Sequence, residues 1–155
     1  MDENTALALI QTLHNLGGIL FAAGPFYALL LLRQQRGGAA QTVIEARLAQ
    51  LPRLWFWLLL LQLASGAGFG AASLLFHGEF PAMGGVARIA ITVKVVAVLI
   101  ALGLCIQLWR STMPEPRDEP DSDAALRLKR ERLLYLLMLL ALAILTGAAF
   151  LRWNM

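Results

Sequence analysis

Four stretches of this chain are long, apolar and almost without charge. No charged residue occurs over 4–32, 54–76 or 133–151, and Lys94 is the only one over 89–109. A bilayer core about 30 Å thick takes about 20 helical residues, so each stretch is long enough to cross it. Such a segment has no water to bond its backbone, and a helix satisfies its N–H and C=O groups internally where an open strand does not. The sequence predicts an all-α integral membrane protein: a four-helix bundle, multi-pass, with spans at about 6–32, 54–76, 87–109 and 133–151.

Composition agrees. Hydrophobic residues make up 59% of the 155 and charged residues 15%, against about 45–50% and about 25% in soluble domains. One domain, 1–155, is expected at this length. The net charge of +3 does not point to nucleic acid, because its arginines and lysines gather between the apolar runs. Arg33, Arg36, Arg47 and Arg53 flank the first gap; Arg110, Arg117, Arg127, Lys129, Arg130 and Arg132 flank the third. The second gap offers Arg88 and the C-terminal tail Arg152. Positive residues stay inside, which places the first and third gaps in the cytoplasm and both termini outside it, as in a bacterial-type inner membrane. Trp55, Trp57 and Trp109 stand where aromatic anchors of the inner interface are expected, and Trp153 where an outer one is. The stretch 111–123, rich in proline and acid, reads as a flexible cytoplasmic linker, with Asp123 as the cap of the helix that follows. The acidic start, Asp2 and Glu3, followed by a long apolar run, reads as no cleaved signal. Cys105, the single cysteine, forms no internal disulfide and is expected as a small packing residue.

An ionisable side chain inside a span is a functional candidate, since a lysine at the bilayer centre costs at least about 2.5–3.5 kcal/mol. His14 and Lys94 qualify. Counted from Ala6 and Val86 at about 1.5 Å per residue, both lie about 12 Å along helices that run inward from the outer face. They therefore share a depth. Gly17, Gly18, Phe21 and Gly24 follow His14 at helical spacing, and Pro25 is expected to kink the helix there. A glycine face permits close helix packing or a flat ligand; the glycine-rich run 65–72 of the second span carries the same two readings. His14 reads as a metal or haem ligand, or as a hydrogen-bonded interhelical histidine. Lys94 reads as partner of a buried group, or as a side chain reaching for the outer interface. His77, at the end of the second span, is expected at the outer surface, and Arg88 either pairs with a ligand's carboxylates or marks the interface. There is no zinc-type Cys/His spacing, no phosphate loop and no nucleophile elbow. The five methionines are scattered, which gives a thioether copper relay little support.

His14, then Ala23-Gly24 and Phe26-Tyr27, resemble the first helix of the HemJ-type protoporphyrinogen oxidases, small four-helix membrane proteins that bind haem b. Lys94 followed by Val95-Val96-Ala97-Val98-Leu99 is similar to that family's lysine and aliphatic run, and the related membrane domain of copper-resistance D proteins shares the broad pattern. The resemblance covers about three helices of four. It departs where the family's Leu-Pro-Arg is Ala28-Leu29-Leu30, and where the family's late third-helix histidine and last-helix Asn-Glu-x-Pro are missing. It implies a haem b site with iron on His14, Lys94 as second ligand or propionate partner, and Gly17, Gly18, Gly24, Tyr27 and Arg88 around it, with the catalytic residues unassigned. The function expected is a haem-binding redox protein, oxidase-like or an electron-transfer subunit with lipid, other membrane redox subunits or a second copy as partners. The competing readings are a copper-handling transporter using His14 and His77, and a packing subunit without a cofactor.

The topology has a direct test. Single cysteines at Gln41 and Asp121 should react with membrane-impermeant maleimide only from the cytoplasmic side, and those at Asp2, Glu79 and Asn154 only from outside. Labelling of Asp121 from outside would overturn the orientation.

Overall fold

The computed structural model describes residues 2–34, 40–79, 84–112 and 121–153, with the side chains of 34, 40–47, 112, 121–125, 127 and 147–153 excepted. It is all-helical over these residues: α1 (Glu3–Gln34), α2 (Ala40–His77), α3 (Gly85–Thr112) and α4 (Asp121–Trp153). α1, most of α2 and α3 are long and apolar enough to cross a membrane.

The helices outrun the apolar stretches that announce them. α2 begins at Ala40, so much of the first charged gap is helical. Its residues Ala40 to Leu51 are mostly good helix formers, with no glycine among them. α4 likewise starts at Asp121, two residues before the expected cap, and runs through its basic turns into the apolar part without a break. The middle of the expected linker, 113–120, lies outside the described residues. α1 passes through Pro25 as one continuous helix. At its far end α2 is closed by Gly78, whose φ of 74° is left-handed and whose N–H donates to the Leu74 carbonyl.

Each helix packs against two others: α1 on α2 and α4, α3 on α2 and α4. Chain ends fix the directions. His77 at the end of α2 meets Glu3 at the start of α1 at 2.9 Å. Arg33 at the end of α1 donates to the Tyr135 hydroxyl of α4 at 2.9 Å, and Arg130 of α4 donates to the Ser111 carbonyl of α3. Consecutive helices are therefore antiparallel, with one end of the ring rich in arginine and the other holding the N-terminus. α1 and α3 stand on opposite sides of it.

The interior differs along its length. Toward the arginine end it is filled by Phe21, Leu29, Trp55, Leu59, Leu108, Leu134 and Leu137, all buried. Toward the N-terminal end the buried positions are small or polar: Gly17, Gln62, Ser65, Ala72 and Ala97. Trp55 is 1% exposed, so it is a core residue and not the interface anchor expected of it; Trp57, 59% exposed, has the anchor's exposure. The indole lies against Gly24, where an added Cβ would come within 2.6 Å of Trp55 Cε2 and 2.8 Å of its Cδ1. A glycine is needed at 24 because the ring takes the side chain's place.

Gly24→Ala should therefore lower the unfolding temperature in detergent, by strain of about 1–3 kcal/mol for an overpacked core. Adding Trp55→Phe should restore part of the loss, because the indole's five-membered ring is what the methyl meets. An unchanged unfolding temperature in Gly24→Ala would show that the contact is absent.

Candidate functional site

The two ionisable residues of the spans are brought together. His14 comes from α1 and Lys94 from α3, helices that do not pack on each other, and Lys94 Nζ lies 2.7 Å from His14 Nε2. The pair crosses the centre of the helix ring. Both side chains are half-buried.

Hydrogen-bond direction can be read outward from Ser65. Its hydroxyl donates to the Leu61 carbonyl at 2.7 Å, one turn back on α2. When that hydrogen is given to Leu61, the shorter of its two carbonyl contacts, the contact of 2.9 Å between Ser65 Oγ and His14 Nδ1 is a bond donated by the imidazole N–H. Nε2 then carries the lone pair, and the lysine amine donates to it. Orientation of an imidazole through its other nitrogen is the arrangement that metal-binding histidines use. Gln62 Nε2 donates to the His14 carbonyl, and Phe69 meets the imidazole edge-on with centroids 6.0 Å apart. One helix, α2, thus meets the ring at Ser65 and Phe69 and holds the backbone behind it through Gln62.

The charge balance is unusual. All ten acidic residues lie outside the four apolar stretches, and among the described residues no carboxylate pairs with Lys94. An imidazole lone pair accepts a hydrogen bond from the amine and neutralises none of its charge. Beside the lysine lies a cavity of about 270 Å³ between α3 and α4, lined by Val86, Ile89, Val93, Lys94, Ala97 and Ala143. Its walls are otherwise aliphatic.

The glycines are used for packing. A Cβ on Gly18 would stand 2.8 Å from Gln62 Nε2, and one on Gly17 3.5 Å from Leu61 and Gln62. α2 covers this face and leaves no slot for a flat ligand against α1. Gly24 belongs to the Trp55 contact, a level away. Tyr27 is 47% exposed, also toward the arginine end, and Arg88 is exposed in the first turn of α3. These three do not join His14 and Lys94. His77 is exposed and pairs with Glu3. It lies 12 residues beyond Ser65 on α2, about 18 Å along the axis, so the two histidines form no common site. Gln62 was not singled out by sequence, and Ser65 and Phe69 only as members of the glycine-rich run 65–72. The signal for Gln62 is a lone amide after an unbroken apolar run from Leu54 to Leu61.

A haem fits this donor set through one axial bond only. Two nitrogens on one tetrahedral metal, at about 2.0–2.1 Å to each, stand about 3.3 Å apart, whereas Nε2 and Nζ are 2.7 Å apart. Among the described residues no group of three His, Cys, Asp or Glu could hold a bare metal ion. No family model, curated protein or solved structure matches this chain.

Lys94→Met should unfold at the same temperature as the parent or above it. It removes a charge costing at least about 2.5–3.5 kcal/mol in hydrocarbon, against about 1–3 kcal/mol for an acceptor left without its donor. Ser65→Ala leaves the imidazole N–H without an acceptor and should lower the unfolding temperature. The reverse order of the two variants would show that the amine, not the hydroxyl, holds the histidine.

Proposed function

We propose that the chain is a four-helix membrane bundle with its arginine end in the cytoplasm, and that it binds one haem b through His14 in a redox role. The observation that supports this is the set of His14: Nδ1–H is held by a serine whose own hydrogen is committed, so Nε2 presents its lone pair to the centre of the helix ring. The one group on that lone pair is the flexible end of Lys94. An iron porphyrin supplies one-electron chemistry when bound. His14 would hold the iron, and Lys94, which has no carboxylate partner among the described residues, would pair with a propionate. Both roles require the amine to leave Nε2, for which the cavity beside its stem gives room, and the porphyrin itself requires α2 to draw back from the face of α1 that it covers. The resemblance of the first helix to HemJ-type oxidases leans the same way, while the missing last-helix motif favours a haem carrier or electron-transfer subunit over an oxidase.

A second reading is favoured by α2 covering the glycine face. In it His14 is an interhelical clasp, joining α1, α2 and α3 without any cofactor.

Purified protein separates the two. Haem binding predicts a Soret band and haem b in a pyridine extract. His14→Ala should abolish both, Lys94→Met should keep the haem and shift its spectrum or potential, and His77→Ala should change neither. A colourless protein that takes up no haem, with His14→Ala merely less stable, would establish the clasp. Full haem content with an unchanged spectrum in His14→Ala would move the site elsewhere.

A further inference from the structure

α1 carries a second polar group at the level of His14, on a face left exposed by the described residues. Gln11 and Asn15 are both exposed, and Gln11 Nε2 donates to Asn15 Oδ1 at 2.8 Å across one helical turn. That bond uses one donor and one acceptor. The Gln11 carbonyl oxygen and the Asn15 amide hydrogens have no other hydrogen bond among the described residues. Asn15 is next to His14 in sequence, well inside a helix that is long and apolar enough to cross a membrane. Carboxamides facing lipid are costly, and transmembrane helices associate by pairing them.

The surrounding positions have the spacing of a helix-packing seam. Ala8, Thr12, Asn15, Ile19, Ala22 and Phe26 follow one another at intervals of four and three residues, the repeat of a left-handed helix pair. Ile19 is 62% exposed and Phe26 57%. Thr12 is inert in this respect, its hydroxyl already donating to the Ala8 carbonyl at 2.8 Å. The seam therefore has small residues toward its start, one asparagine within it, and apolar side chains below.

We infer that this face of α1 is the interface of a parallel homodimer, with Asn15 and Gln11 of one copy bonded to the same residues of the other. The occupant is a second copy because the free groups are self-complementary. Each chain offers an unused amide donor and an unused carbonyl acceptor one turn apart, and a two-fold axis along the membrane normal sets donor against acceptor twice. The inference does not depend on the haem reading, since these residues touch neither His14 Nε2 nor Lys94.

The test is self-association of the full-length protein, labelled with donor or acceptor dye and diluted in liposomes. Energy transfer should show a dimer, and Gln11→Leu with Asn15→Leu should weaken it about tenfold, since the interhelical bonds lost are individually modest. The double variant should keep its helix content and unfolding temperature, because it replaces exposed amides by apolar groups. A cysteine at Asn15 should cross-link to its twin, and one at Leu139, exposed on α4, should not. A monomeric wild type, or a dimer as tight with both amides replaced, would overturn the inference.

Discussion

A lysine within an apolar helix has to be given a partner, and here the partner is a neutral ring. With no acid in any of the apolar stretches, the amine of Lys94 is left with the imidazole of His14 across the centre of the ring. Much else follows from holding that ring in place. Ser65 fixes its tautomer, Gln62 bonds the backbone behind it, and Gly17 and Gly18 let α2 come close enough for both. Polar groups in a dry interior are stabilising when all are satisfied and costly when one is not. His14, Ser65 and Gln62 are bound to one another in this way, while Lys94 adds a charge that the ring does not neutralise.

The two halves of the interior divide the labour. Toward the arginine end the core is built of large apolar side chains, with Trp55 seated in the space that Gly24 leaves. Arg33 on Tyr135, Arg53 at 5.9 Å over the Trp109 ring and Arg130 on Ser111 tie α1 to α4, α2 to α3 and α4 to α3 at that end. Toward the N-terminal end the interior is small and polar, and a cavity adjoins it. Packing there supplies less of the stability, so that is where a ligand or a side-chain movement costs least.

The helices were legible because four long, nearly uncharged stretches can be read residue by residue, three of them in helices long and apolar enough to cross a membrane. That His14 and Lys94 share a level was legible from the roughly 1.5 Å rise along antiparallel-joined helices, and their contact follows once α1 and α3 stand across the ring from each other. Helix ends were less so, because nothing stops a helix at the membrane surface, and α2 continues through residues that read as a loop. The glycines of α1 were ambiguous by nature: a bare face invites a flat ligand or another helix equally, and only the neighbouring helix decides. Trp55 was misread because a tryptophan near a span's end has two ordinary uses, and the glycine that selects the buried one lies on another helix. Gln11 and Asn15 passed unnoticed since an amide carries no charge to attract attention.

Cys105 illustrates what the tight half of the interior provides. Its side chain is 0% exposed among Ala101, Leu108 and Leu137. A thiol so enclosed is shielded from aqueous alkylating reagents and oxidants alike. The parent sequence is thus already a chemically silent background, into which single reporter thiols can be placed without first removing the natural one.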